Sequence, residues 1–326
     1  MLKHRKLLIL AILLVAAAAI AFVLYRRTAR LPETVALLPE GDLVLYADLK
    51  PAHLFDLGKS PSPQPEGEYK DFIDQTGIQF ERDLEEVGMS RRDTPDGRDS
   101  ESSEIFAGRF DQDRLKIYLQ KLSSATETYR NFTIYSISHD GHLVRAALIG
   151  AGRVAVTNMA SPEPMHGILD RTYSNSTGPS LVKDHYRDVP FGSLGWLITR
   201  IPGKPDNVQL PGGFGLTLPG DTVAVGSLRY TGLSLLLRAD VFAQSQAQAK
   251  QIVDSANTHL ALVRGIGQVI KTKGPDKDIK AAFDSIQVEQ KENVAVFTAT
   301  IPQSMLKKIW SEAQAEGAVP TPAHKP

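Results

Sequence analysis

Ser180-Leu181-Val182-Lys183 has the S-x-x-K spacing, in which one helical turn carries an amine to a serine hydroxyl. That is the nucleophile–base arrangement of serine penicillin-recognising enzymes, and Ser304-Met305-Leu306-Lys307 repeats it. Neither copy has a convincing S-D-N or K-T-G companion, so both serines read as helix starts and both lysines as solvated. His139 and His142 flank Asp140-Gly141. Two imidazoles three apart in a turn lack a third metal ligand, and Asp-Gly is itself a hairpin signal. Asp93, Asp96, Asp99 and Glu101 offer oxygens for calcium but miss the EF-hand spacing, which leaves a solvated loop. The clusters Gly212-Gly213-Phe214-Gly215 and Gly265-Ile266-Gly267 match neither G-x-G-x-x-G nor a P-loop and read as a turn and a helix break. His-Glu-x-x-His and Gly-x-Ser-x-Gly are also missing, and paired glycosidase carboxylates cannot be identified from spacing alone. Zero cysteines exclude thiolate catalysis, disulfides and Cys-ligated metals. Asn131-Phe132-Thr133 and Asn175-Ser176-Thr177 fit glycosylation sequons, which matter only in a eukaryotic secretory pathway. No catalytic, metal-binding or cofactor-binding residue is assigned on these grounds, and no cofactor is expected.

The strongest signal lies outside this inventory. Leu7–Tyr25 is a run of 19 residues without a charge or strongly polar group. As a helix it is roughly 28 Å long, close to the hydrocarbon thickness of a bilayer. Lys3, Arg5 and Lys6 precede it, and Arg26, Arg27 and Arg30 follow. Ala19-Ile20-Ala21 resembles a signal-peptidase site, but four apolar residues continue to Arg26, which favours a retained anchor. The expected arrangement is a cytoplasmic tail at 1–6, a transmembrane helix or signal anchor at 7–25 and a spacer at 26–41. Residues 31–326 then lie outside the cytoplasm of a bacterial cell, anchored in the inner membrane.

The charges agree with that division. The chain has 37 basic and 37 acidic residues, yet residues 1–30 hold six bases and no acid. Residues 66–104 hold 13 acids and 5 bases. Without an aromatic-basic stripe, nucleic-acid binding is not expected.

The elements that would position any site read as α+β: the membrane helix, then antiparallel sheets with packed helices. Asp42–Leu49 has the alternation of a strand, and Pro51–Pro65 that of a loop. Glu66–Thr76 is a predicted helix, closed by Gly77. Arg82–Met89 and Ile105–Phe110 are predicted strands joined by a mobile polar loop, Ser90–Ser103. Asp111–Leu122 carries a cap and an apolar stripe of Leu115, Tyr118, Leu119 and Leu122. Phe132–Ser138 and Leu143–Ile149 form a hairpin, and Arg153–Thr157 a further strand. In the second half, a strand near Leu194–Ile198 and the pair Thr222–Arg229 and Leu233–Ala239 precede a long helix, Ala243–Thr272, with Gly265 and Gly267 as its weak point. Phe283–Glu289 and Val294–Ile301 form a last hairpin before a helix at Gln303–Ala315.

Two halves, 42–190 and 191–317, read as degenerate β-α-β-β-α repeats ahead of a disordered tail at 318–326. The match rests on Ile105–Phe110 with Val296–Ile301, each running into a helix, and on Leu38–Asp42 with Leu218–Asp221. Thr76-Gly77, Glu81-Arg82-Asp83-Leu84 and Gly108-Arg109-Phe110-Asp111 opening a helix make residues 35–160 resemble a group of uncharacterised bacterial membrane-anchored envelope proteins with an exported domain of unknown function. The proline usual before the Arg-Asp-Leu run is replaced here by Phe80-Glu81. The resemblance implies an envelope location and an α+β fold, and brings no catalytic residues.

The sequence thus leads to a membrane-tethered envelope protein with a binding or scaffolding role. Its expected partner is the bilayer, through residues 7–25, with another envelope protein as a candidate partner. An envelope hydrolase with a non-motif site, around Ser180 and Lys183, is the alternative.

Overall fold

A computed structural model describes residues 30–51, 67–93, 100–139, 141–174, 176–201, 206–210, 214–220, 222–232, 234–269 and 277–305. The apolar run 7–25, the loop 52–66 and the tail 318–326 lie outside the described residues. Among the described residues no helix is long and apolar enough to cross a membrane. The chain divides into two compact units, Met1–Glu33 and Thr34–Pro326, and the sheet belongs to the second.

The fold is mixed α+β, built on one 12-stranded sheet in which every pair is antiparallel. Its strands are β1 (Leu43–Asp48), β2 (Leu84–Asp93), β3 (Ser100–Gly108), β4 (Ala125–Tyr129), β5 (Phe132–His139), β6 (His142–Leu148), β7 (Arg153–Thr157), β8 (Ser193–Ile201), β11 (Thr222–Tyr230), β12 (Ser234–Phe242), β13 (Gln287–Lys291) and β14 (Val294–Pro302). The excursion β9 (Asp206–Leu210) with β10 (Phe214–Leu218) pairs only with itself. The order across the sheet is β13-β14-β12-β11-β8-β1-β2-β3-β7-β6-β5-β4. The boundary between residues 190 and 191 therefore falls inside one continuous sheet, where β1 pairs with β8.

Two α-helical layers cover one face. Helix Gln112–Leu122 sets Leu115 and Leu119 on Tyr135, Ala146 and Val154. Asp111 accepts from the Arg114 N–H, the expected cap. Helix Gln246–Val269 lays Ile252, Val253 and Ala256 against Val241 and Ala295 at the far end. It runs through Gly265 and Gly267, so the expected break there is corrected: flanking helix formers carry the backbone across both glycines. On the opposite face lie Thr34–Leu38, helix Glu163–Arg171 against β7, and helix Ser180–His185 against β8.

Three further expectations are corrected. Residues 34–38 are not part of a spacer: Val35 and Leu38 are fully buried, because an apolar quartet beside a sheet gains more by docking than by spanning. Ser90–Asp93 and Ser100–Ser103 are strand, not loop, and only 94–99 lie outside the described residues. Buried Ser103 pairs its hydroxyl with Thr157 at 3.1 Å, so small polar side chains sit inside the sheet. Helix Lys277–Asp284 occupies the start of the segment read as the strand Phe283–Glu289.

The β-α-β-β-α repeat is also revised. Outward from the central pair, β1-β2-β3 and β8-β11-β12 are matching meanders, each followed by a helix and a return strand, β7 or β14, that pairs with the third. The segment between β8 and β11 holds the β9–β10 excursion where the first half has helix Gly67–Thr76. The equivalent strand leads are Pro39-Glu40-Gly41 before β1 and Pro190-Phe191-Gly192 before β8, so Leu218–Asp221 precedes a non-equivalent strand.

Candidate functional site

The alternation of β1 sends Val44, Tyr46 and Asp48 to the face that carries residues 34–38. Register then brings partners from distant parts of the chain. Tyr46 lies between Trp196 of β8 and Gly88 of β2, and Asp48 lies opposite Glu86. The Tyr46 and Trp196 rings are tilted at 5.7 Å, and Tyr186 meets the Trp196 indole edge-on at 5.6 Å. The Lys50 N–H donates to Asp48 Oδ1 at 3.1 Å, and its ammonium bonds Glu86 Oε1. Beside Glu86 the ladder to β3 slips, with Leu84 opposite Gly108 but Glu86 opposite Ala107. Such a bulge re-aims side chains at the end of a strand. It leaves Glu85 near Arg109, at 3.4 Å.

This corner holds two carboxylates, an ammonium and two nearly buried aromatic rings. Burial raises the Asp48 pKa, and the charges of Glu86 and Glu85 add to the rise against the Lys50 N–H and ammonium. Burial pulls Lys50 the other way, but its bond to Glu86 and the surrounding carboxylates leave it raised, hence fully charged. Burial, then Glu86 and Asp48, push the Tyr46 phenol well above its ordinary range, so it keeps its proton. Chemically, the corner offers a part-buried carboxyl whose pKa is raised, a second carboxyl bonded to the lysine ammonium, and the donors of Tyr46 and Trp196.

The residues singled out by spacing do not converge. Ser180 starts its helix as expected, and its hydroxyl donates to Glu40 Oε2 at 2.8 Å while its N–H reaches the same carboxylate at 3.0 Å. Glu40 thereby caps that helix, and the Ser180 hydrogen points at a carboxylate instead of at exposed Lys183. Lys307 lies outside the described residues. His139 and His142 are direct cross-strand neighbours at the β5–β6 turn. Asp93 is paired with Arg91 at 3.3 Å, Glu101 faces Arg92 across the ladder, and Asp96 and Asp99 lie outside the described residues. Among the described residues no three His, Asp or Glu side chains are placed to hold a metal. Gly212, Gly213 and Asn175 also lie outside them, whereas Asn131 is exposed in the β4–β5 turn.

A second cluster serves as a contrast. His166 Nε2 meets Glu127 Oε1 at 2.8 Å and stacks on Tyr129 at 4.0 Å, while Arg130 Nε and the Tyr129 hydroxyl both donate to Asp170, at 2.6 and 3.2 Å. These groups satisfy one another and clamp edge strand β4 to helix Glu163–Arg171. The β1–β2–β8 corner is different, because the Tyr46 hydroxyl and the Trp196 N–H have no hydrogen-bond partner among the described residues.

Sequence reasoning missed that corner. The β1 alternation does put Tyr46 and Asp48 on one side, but their neighbours Glu86 and Trp196 follow from register, which no local pattern shows.

No family model matches the chain, and no curated protein is significantly similar to it. Solved structures of TP0453 in crystal forms IV, III and I align over 85%, 87% and 85% of this chain and 96%, 99% and 96% of theirs. Their identities are 14%, 15% and 13%, with TM-scores of 0.49, 0.46 and 0.44. At these scores the likeness carries no functional argument.

Proposed function

We propose that the chain is a single-pass, membrane-tethered envelope protein whose globular unit binds a ligand or partner. The tether rests on the uncharged run 7–25 with its basic flanks, and places residues 31–326 outside the cytoplasm. The observation that carries the binding role is the β1–β2–β8 corner, where the Tyr46 hydroxyl and the Trp196 N–H, on nearly buried side chains, have no hydrogen-bond partner among the described residues. Two measurements test the tether. The protein stays with membranes through alkaline extraction, and a C-terminal tag on intact spheroplasts is cut by added protease. Release by alkali, or a tag protected until the membrane is broken, overturns it.

The raised Asp48 carboxyl opposite the lysine-held Glu86 carboxylate favours one second reading, an envelope hydrolase with a general acid and a base at this corner instead of at Ser180. On that reading turnover of chromogenic esters or glycosides disappears in both Asp48→Asn and Glu86→Gln. Turnover that survives both removes it.

A further inference from the structure

The geometry points to a saccharide as the ligand of this corner: a neutral, polyhydroxylated ring placed where Tyr46, Trp196, Asp48 and Glu86 meet. This rests on the binding role proposed above and adds the chemical class of the ligand.

The argument is one of pairing. Lys50 and Glu86 already satisfy each other. Tyr46 and Trp196 are only 8% and 5% exposed, yet the Tyr46 hydroxyl and the Trp196 indole N–H form no hydrogen bond with another described residue. Both rings are thus nearly buried, with polar heads that no described residue satisfies. Asp48, two residues along β1, and Glu86 opposite it lie on the same face of the sheet as Tyr46. Buried side chains rarely leave donors open without a reason.

Three ligand classes meet these groups differently. An anion would accept from both donors but would sit against Asp48, Glu86 and Glu85, with only Lys50 and Arg109 in compensation. An amine would suit the carboxylates, but an indole N–H has no lone pair for it, and Lys50 already takes the ammonium place at Glu86. A sugar hydroxyl both donates and accepts. Adjacent hydroxyls on one ring can donate to a carboxylate and accept from the indole and the phenol, without adding charge to the corner.

The test uses the full chain in lipid nanodiscs, since sugar-headed detergents would compete. Of the two tryptophans, Trp310→Phe leaves Trp196 as the only reporter. Chitotetraose and maltotetraose are titrated separately, with cadaverine and citrate as amine and anion comparators. At least one saccharide should shift Trp196 emission in a saturable way, with an affinity on the order of 1 mM. Tyr46→Phe, which removes one oxygen, should weaken that response about fivefold, and Glu86→Gln about tenfold or more. Glu127→Gln, on the far edge strand, should leave it unchanged. Circular dichroism and the thermal midpoint confirm folding; if Glu86→Gln does not fold, Tyr46→Phe carries the test.

A saccharide response that survives both substitutions unaltered overturns the assignment. Saturation by cadaverine or citrate without a saccharide response overturns the ligand class and leaves the binding role standing. Silence toward all four probes overturns both.

Discussion

Gly88→Ala tests whether residues 34–38 are part of the core. Gly88 sits in β2 between Tyr46 of β1 and Ile105 of β3, so its backbone is held on both sides. A Cβ added there would lie 2.8 Å from the Thr34 carbonyl oxygen and 2.9 Å from its carbon. Both are backbone atoms, and no rotamer change relieves the contact. Either β2 shifts within a central ladder, or the 34–38 segment lifts from the sheet.

Full release would expose Val35, Leu37 and Leu38, now 0%, 4% and 0% accessible. At about 1.5–3 kcal/mol per side chain that is about 4–9 kcal/mol, a large part of the stability of an ordinary domain. A partial shift is less costly, since overpacking of this kind takes about 1–3 kcal/mol. Replacing a strand glycine returns up to about 1 kcal/mol through chain entropy. The expected net loss is about 1–2 kcal/mol, read as a lower urea midpoint at unchanged slope in tryptophan fluorescence. Leu38→Ala alone should cost about 2–5 kcal/mol. The double variant should cost less than the sum, because either change already loosens the same segment. A Gly88→Ala loss within about 0.5 kcal/mol would show that the segment is not pinned to β2.

Three other outcomes follow from single contacts. Asp240 is 5% exposed, and its carboxylate accepts from Arg238 Nε at 3.0 and 2.9 Å. Arg238→Ala should cost about 3 kcal/mol in urea unfolding, while the apolar pair Arg238→Met with Asp240→Leu should recover most of it; a single variant as stable as the parent refutes the coupling. Asp111→Ala removes the cap of helix Gln112–Leu122 and should cost about 1 kcal/mol by the same assay, against no change if that helix is held by packing alone. The acid limb of stability has two opposing contributions. Burial pushes the Asp83 pKa up, but Arg82, the Gln79 N–H and the Arg109 charge outweigh it and hold it below its ordinary value. Its stabilisation is therefore present above the unfolded pKa and lost as pH falls through the folded one, so Asp83→Asn should flatten that loss. Asp48 is shifted upward, so its contribution grows as pH falls from the folded pKa to the ordinary one, and Asp48→Asn should gain relative stability near neutrality. Unfolding free energies across an acid pH series check both, and parallel curves for parent and variants would refute the assignment.

What the sequence shows depends on how local the cause is. Asp111, Leu115 and Leu119 specify their helix within three turns, and Asp140-Gly141 marks a turn whose flanking strands pair as expected. The Gly77 C-cap is equally local: it adopts φ +73° and its N–H closes the preceding helix on Ile73. The failures have non-local causes. Thr34–Leu38 reads as a spacer because Pro32 and Pro39 flank it, and only the sheet beneath it makes it core. Ser90 and Ser103 read as loop because serine is a turn former, whereas here they lie opposite each other inside the sheet. Strand β4, Ala-Thr-Glu-Thr-Tyr, has no apolar alternation because it is an exposed edge.

The candidate site follows from the same reasoning at larger scale. β1 and β8 form the seam of the sheet, and β1 pairs with β2 of its own half on one side and with β8 of the other half on the other. Any group on β1 therefore meets side chains from two meanders far apart in sequence. The edge cluster of Glu127, Tyr129, Arg130, His166 and Asp170 is drawn from one half only and ends up mutually satisfied. At the seam, Tyr46 must pack on Trp196 for the rings to be buried, and Asp48 must lie opposite Glu86 for the ladder to continue. Those two requirements fix the rings and carboxylates and leave the Tyr46 hydroxyl and the Trp196 N–H without a hydrogen-bond partner among the described residues, and the proposed binding role rests on that seam between β1 and β8.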